Sequence, residues 1–241
     1  IYRIPRGKSI VVPGSFCPRC KSRIRWYDNI PILSWLLLRG RCRDCHAPIT
    51  LRYPLVEALS LLLFVIAGLR FGAGWECLRA ILMGCFLIPI SFIDIEHRVI
   101  PDKLSLPGIG VGLASALLVP GGLGRALLGM ALGSSVILVS IGLSWLLARL
   151  GWTLFRQKQG MGGGDLRLLA LIGSFLDWRL TLLAFFAGAA LCVLFGLVAI
   201  ALGRRRWGRH VPLGPFLSAG GLVALYFGPT LLELYQRSLA P

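Results

Sequence analysis

Two groups of residues in this 241-residue chain are of types that do chemistry together. The first is Cys17-Pro-Arg-Cys20 and, 21 residues later, Cys42-Arg-Asp-Cys45. Two Cys-x-x-Cys turns can set four thiolates tetrahedrally around one soft divalent ion, and zinc suits that donor set. The gap is a little longer than the roughly 15–20 residues usual in a zinc ribbon. A closed four-thiolate site leaves no position for substrate, so its role is to fold a segment with little core of its own. Two disulfides, four ordinary thiols and His46 as a substitute ligand are competing readings of the same residues. The second group is acidic. Asp94 ends one apolar stretch, Asp165 begins another, and Glu57 falls within a third. An ionisable group in an apolar span is costly enough to mark a functional site. Two carboxyls at one depth can share a proton, one acting as base toward a water and the other as acid toward a scissile carbonyl. That is aspartyl protease chemistry, which uses neither a metal nor a covalent intermediate. Ahead of Asp165, Gly160-Met161-Gly162-Gly163-Gly164 offers a backbone nearly bare of side chains, along which an extended substrate could lie. The competing reading is an Asp that caps a helix after a flexible turn.

These residues need elements to bring them together, and the composition says which. The chain is 56% hydrophobic and 15% charged, with mean hydropathy +0.76, whereas globular domains carry about a quarter charged residues. This excludes a disordered chain or a secreted mini-protein and argues against a water-soluble enzyme. Spanning helices need about 20 apolar residues, and seven stretches are candidates, the third and fifth of them short: 55–72, 76–95, 104–119, 126–149, 164–177, 180–203 and 213–230. The expectation is an all-α polytopic membrane protein, with residues 1–54 a cytoplasmic cysteine loop and 55–241 a transmembrane domain. No cleavable signal peptide is visible in Ile1 to Pro13. The chain starts without Met, which leads us to expect that it begins inside a longer protein.

Charge sets the orientation. With residues 1–54 cytoplasmic, the loops near 96–103, 149–163 and 203–211 lie on the same side, and together these segments hold 20 of the 26 basic residues. That obeys the positive-inside rule and accounts for the net charge of +16 without a nucleic-acid partner. It also places the cysteines in the reducing cytosol, which disfavours disulfides. Asp94 then closes an inward-running helix and Asp165 opens an outward-running one, so both stand at the cytoplasmic boundary. Asp165, at a helix N-terminus, is the expected anion, and Asp94, at a C-terminal end, the expected holder of the shared proton. Gly108, Gly110, Gly112, Gly129 and Gly133 have the small-residue spacing of closely packed membrane helices. Cys77, Cys85 and Cys192 read as small buried residues.

The motifs, taken in order, resemble the bacterial type IV prepilin peptidases, which are also N-methyltransferases. The resemblance covers nearly the whole chain. It includes Ile1-Tyr2-Arg3-Ile4-Pro5-Arg6-Gly7, the cysteine pairs flanking Trp26-Tyr27-Asp28-Asn29-Ile30-Pro31 and Ser34-Trp35, and Arg52-Tyr53-Pro54-Leu55-Val56-Glu57. Asp94-Ile95-Glu96-His97, Ile100-Pro101-Asp102 and the Gly-x-Gly-Asp signature ending at Asp165 follow. The resemblance implies catalytic roles for Asp94 and Asp165. It implies cleavage of prepilins or pseudopilins after a Gly that follows a basic leader, then methylation of the new N-terminus with S-adenosyl-L-methionine. Pili or secretion would be served from the bacterial inner membrane. The family's position after the glycine-Asp motif is usually Lys and here is Arg167; its first helix, before Ile1, would make eight. The cysteine loop marks the methylating branch, but no methyl-donor site carries over by residue.

A carrier relaying protons through its intramembrane acids, or a zinc ribbon binding nucleic acid through Trp26, Tyr27 and Trp35, would draw on the same residues. The first predicts broken-helix repeats in the two halves, and none are found. Glu96, His97 and Asp102 are expected near the acid pair as supporting or surface groups. Glu57 is expected to pair with a nearby Arg or to serve methyl transfer. The basic loop would repel a basic leader, so anionic inner-leaflet lipids are its expected partner. The oligomeric state is not legible.

Overall fold

A computed structural model describes residues 1, 3–7, 9, 14–149, 162–203 and 211–239. Among these residues the regular elements are helical, with two isolated bridges, Phe16 with Arg23 and Arg41 with Pro48. The chain forms two compact units, Ile1–Ala73 and Gly74–Pro241.

Unit 1 contains two 3-10 turns, Ile4–Arg6 and Trp26–Asn29, then the short helix α1 (Leu33–Leu37) and the long helix α2 (Arg52–Phe71). Its small core is organised around side chains that bond to backbone. The Trp35 indole donates to Ile49 O at 3.2 Å, and its ring lies where a Cβ on Gly40 would come within 2.8 Å. Gly40 also has φ +67, so no other residue fits that turn without strain. The sequence division at residue 54 follows the change from polar to apolar chain; the compact unit runs on to Ala73 and takes α2 with it. Along α2 only Leu63 and Ala67 are buried. A helix apolar on every side is stable only where its surroundings are apolar too.

Unit 2 contains α3 (Trp75–His97), α4 (Asp102–Ala116), α5 (Gly122–Arg149), α6 (Gly163–Phe175), α7 (Trp178–Ala201) and α8 (Gly214–Leu239). Helix α6 is the central one. Every residue from Leu168 to Phe175 is buried, against Met83, Leu87 and Ile90 of α3, Ile137 of α5 and Leu217 of α8. Lipid tails are as apolar as leucine, so inside a bilayer this packing rests on close approach rather than on the hydrophobic effect. The approach is through glycine: a Cβ on Gly129 would come 2.6 Å from Gly173 O, and one on Gly173 within 2.5 Å of the Gly129 backbone. A larger residue at either position would force α5 and α6 apart. Gly108, Gly112 and Gly133 also sit at such contacts, but Gly110 faces open space and is not a packing residue.

Among the described residues five helices are long and apolar enough to cross a membrane: α2, α3, α5, α7 and α8. The chain is a multi-pass membrane protein. The stretches 104–119 and 164–177 do form helices, but α4 and α6 have 15 and 13 residues, about 20 Å of rise against a hydrocarbon core of about 30 Å. These are the two stretches already short in the sequence, and an apolar run is the same whether lipid or protein covers it. The outward-facing positions of the long helices account for a second difference. Cys85 is exposed, and Cys77 and Cys192 are half-buried, so these thiols do not pack in the core as expected.

Arg79 of α3 secures the end of α6 remote from Asp165. Its guanidinium donates to Phe175 O at 2.7 Å and to the Ser115 hydroxyl at 3.3 Å. A cation on the last carbonyls of a helix satisfies them and complements the dipole.

Candidate active site and metal centre

Asp94 lies one turn before the end of α3, where the helix stops because Arg98 takes φ +55 and donates its N–H to Asp94 O at 2.8 Å. The chain then runs extended through buried Ile100 to Pro101, whose φ and ψ of −76° and 128° start α4 at Asp102. Gly164 of α6 faces Ile100, at a distance where a Cβ would be 3.1 Å from the Ile100 Cβ. A side chain here would push the N-terminus of α6 away from the end of α3. Asp165 is the third residue of α6; its Oδ2 accepts the Gly162 N–H at 2.9 Å, and its own N–H donates to Gly162 O at 3.1 Å. Asp94 and Asp165 thus belong to the end of α3 and the start of α6, the two segments that meet through Ile100 and Gly164. Gly160 and Met161 lie outside the described residues, as do most of the loops near 149–163 and 203–211.

Asp94 is only 6% exposed, and its Oδ2 accepts the Gly214 N–H at 3.0 Å. Gly214 opens α8, and a Cβ on it would sit 2.5 Å from that oxygen. This alters the expected asymmetry of the pair. Each carboxyl is held by a backbone N–H at the start of a helix, α6 for Asp165 and α8 for Asp94, so the dipoles do not single out Asp165 as the anion. The contribution of α8 was missed in the sequence. Pro215 signals a helix start, but nothing in the sequence says which side chain that start will face. Arg167 of α6 forms an ion pair with Asp102 of α4, so the residue two places after Asp165 ties the two helix starts together. Glu96 and His97 are partly exposed and 3.9 Å apart.

The cysteines of unit 1 lie on two turns of the same design. In the first, Cys17 N–H donates to Ser22 O and Lys21 N–H to Cys17 O, both at 2.9 Å; in the second, Cys42 N–H donates to Ala47 O at 2.9 Å and His46 N–H to Cys42 O at 3.0 Å. The residue after each second cysteine is left-handed, Lys21 at φ +61 and His46 at φ +53. The four sulfurs lie within 4.8 Å of one another, and Cys17 and Cys45 are 3.8 Å apart. Tetrahedral zinc with bonds of about 2.3 Å requires sulfurs roughly 3.8 Å apart. The donor set therefore fits a divalent ion. His46 is exposed and takes part only through its backbone in the turn.

The thiols are prepared unequally for ionisation. Cys20 is pushed down to about 6, first by the Ser22 hydroxyl at 2.9 Å and then by the Ser22 backbone N–H. Cys42 is lowered by the N–H groups of Cys45 and Asp44. At Cys45 the Ala47 N–H favours the thiolate, but lost hydration and the three other thiols outweigh it and raise the group to about 11. The turns are braced by Arg43, which grips Asp28 with two bonds of 2.6 and 2.7 Å and holds its carboxyl below the usual range. Glu57 meets a backbone group rather than an arginine: its Oε2 accepts the Ile32 N–H at 2.6 Å.

The comparisons with known proteins agree with this division. Residues 1–71 match the bacterial peptidase A24 N-terminal domain, and residues 81–197 match the type IV leader peptidase family. The prepilin leader peptidase/N-methyltransferase of Aeromonas salmonicida (strain A449) is 38% identical over 234 residues, 96% of this chain and 77% of that protein. Its counterpart in Myxococcus xanthus (strain DK1622) is 42% identical over 209 residues, 85% of this chain and 59% of that protein. That of Xanthomonas campestris is 38% identical over 243 residues, 97% and 79% respectively. No solved structure matches. The chain belongs to the type IV leader peptidase family.

Proposed function

We propose that this family member removes the basic leader from type IV prepilins or pseudopilins with Asp94 and Asp165 as an aspartyl dyad, and then methylates the new N-terminus. The prepilin-processing role follows from family membership, from relatives whose names carry both activities, and from a resemblance running nearly the length of the chain. A carrier function has no support. The observation that bears most on the dyad is the bond from Gly214 to the buried Asp94 carboxyl, which fixes one oxygen of that group at the start of α8.

In this reading a water lies between the two carboxyls. One carboxylate takes a proton from it as its oxygen attacks the carbonyl after the leader's Gly, while the other carboxyl protonates the carbonyl oxygen. The tetrahedral species then expels the amine, whose nitrogen takes the proton drawn from the water, while one of the two hydroxyls returns a proton to the other aspartate as the carboxylic acid forms. Helix-start N–H groups keep one oxygen of each aspartate fixed through these transfers, so little reorganisation accompanies the charge movement. The leader side faces the cytoplasmic boundary of the inner membrane, and the cleaved pilin's amine then receives a methyl group from S-adenosyl-L-methionine. Zinc held by Cys17, Cys20, Cys42 and Cys45 would supply folding free energy to unit 1 and no chemistry.

The test is mass spectrometry of a model prepilin incubated with the full chain, with and without methyl donor. Cleavage alone is expected without donor, and cleavage plus one methyl with it. Asp94→Asn and Asp165→Asn should each lower cleavage by roughly 10²- to 10⁴-fold yet still methylate a pre-cleaved pilin. Substantial proteolysis by either variant rules the dyad out.

A further inference from the structure

Unit 1 has an apolar surface that its metal turns do not account for. Trp26 is 82% exposed, Leu33 53%, Leu36 58% and Leu37 76%. The three leucines are spaced i, i+3, i+4 and share one face of α1. The other face is committed inward. Ser34 is buried, its hydroxyl donating to Tyr27 O and accepting from Ile30 N–H, both at 3.0 Å, and Trp35 bonds to Ile49. The leucine face is therefore an outward surface and not a frayed end.

The depth of that surface is set by Glu57. The residue before α1, Ile32, donates its N–H to the Glu57 carboxylate at 2.6 Å. Glu57 lies five residues into α2, about 7.5 Å along its axis, inside the segment apolar enough to span. So α1 begins about a turn and a half below the first residue of a membrane helix, the depth at which amphipathic segments lie among headgroups and upper acyl chains. Charge agrees with that depth: Arg39 and Arg41, both exposed, follow α1 directly, and Arg52 opens α2.

We propose that α1 is an interfacial anchor. It inserts Leu33, Leu36, Leu37 and Trp26 into the anionic leaflet that holds α2, while Arg39 and Arg41 meet lipid phosphates. This rests on the reading of α2 as a membrane span. It fixes the height of the cysteine turns above the bilayer and assigns Glu57 the role of tether. It also resolves the charge conflict, because the arginines around α1 face phospholipid rather than the basic leader.

Benzoylphenylalanine placed singly at Leu37, Leu62 or Arg19 of the full chain, in phosphatidylcholine–phosphatidylglycerol vesicles, tests this after irradiation and intact-mass analysis. Leu62 reports on α2 and Arg19 on the aqueous surface. Phospholipid adducts at Leu37 should exceed those at Arg19 by about fivefold or more and approach those at Leu62. Glu57→Leu should lower the Leu37 adduct and leave the Leu62 adduct unchanged, with bound metal per chain confirming that the cysteine turns are folded. Leu37 cross-linked to residues 74–241, cross-linked to a second copy, or labelled only at the Arg19 level overturns the anchor. Loss of adducts at Leu62 as well overturns the span itself.

Discussion

In unit 1 all four sulfurs come from residues 17–45, and each pair is presented by a turn that closes with the same two backbone bonds. In unit 2, Asp94, Asp165 and Gly214 come from three helices that meet only because α6 is buried among its neighbours. The first site is local, and an ion held there would offset the mutual repulsion of its thiolates. The second is assembled from remote parts and is held by glycines that admit backbone where side chains would intrude. One should fail by losing a sulfur, the other by gaining a methyl group.

The largest effect should come from the local site. Zinc bound to four thiolates contributes about 10 kcal/mol of folding free energy, far more than a loop with so little core can replace. Cys20→Ser or Cys45→Ser should reduce zinc from one ion per chain to none and expose residues 14–50 to protease, and strong chelation should do the same. Methyl transfer is expected to fall with it while leader cleavage changes much less. Elemental analysis, limited proteolysis and the two-product mass assay read the three outcomes. A metal-free chain with intact cysteine turns would erase the distinction drawn between the sites.

Next is the assembled site. Gly214→Ala adds a Cβ that must displace either Asp94 or the start of α8. A misplacement of about 1 Å in a catalytic group can cost about 10²-fold, and a loss of that order in kcat for leader cleavage is expected, with methylation of pre-cleaved pilin unchanged. Gly142→Ala, at a glycine of α5 facing open space, should change nothing. Full activity in Gly214→Ala would mean that α8 does not hold the reacting group.

The same contrast explains what could be read in the sequence. Cys-x-x-Cys is a spacing rule within a few residues, so both turns were visible at once. An expected depth for Asp94 and Asp165 follows from Lys and Arg, which orient every helix by one rule. Gly214 was not legible, since its role depends on three-dimensional neighbours that no local pattern encodes. The shortness of α4 and α6 was legible in their apolar stretches, but apolar composition cannot tell a helix facing lipid from one enclosed by other helices. Glu57 was visible as an acid out of place, but its partner is a backbone N–H, which leaves no mark in a sequence.

Arg79 tests how firmly α6 is held from its far end. Arg79→Met removes hydrogen bonds from a charged donor to Phe175 O and to Ser115, a loss of about 1.5–3 kcal/mol. The melting temperature in detergent should fall, and cleavage should decline less than in Gly214→Ala. An unchanged melting temperature would show that buried packing alone positions α6.

The smallest effect sharpens the comparison most, because it sets the two cysteine turns against each other. Lys21 and His46 hold equivalent left-handed positions, and each bonds back to the first cysteine of its turn only through backbone N–H. A Cβ there costs about 1 kcal/mol, partly offset by the extra freedom that glycine gives the unfolded chain. Lys21→Gly and His46→Gly should therefore each stabilise metal-loaded unit 1 by about 0.5 kcal/mol, read as a higher chelator concentration at half-release. Arg98→Gly, at the left-handed end of α3, should stabilise unit 2 similarly without moving zinc release. If the two turns are equivalent, their gains will match. A loss at His46 alone would mean that its side chain supports the ion, and the symmetry argued from backbone bonds would give way to a site with a fifth participant.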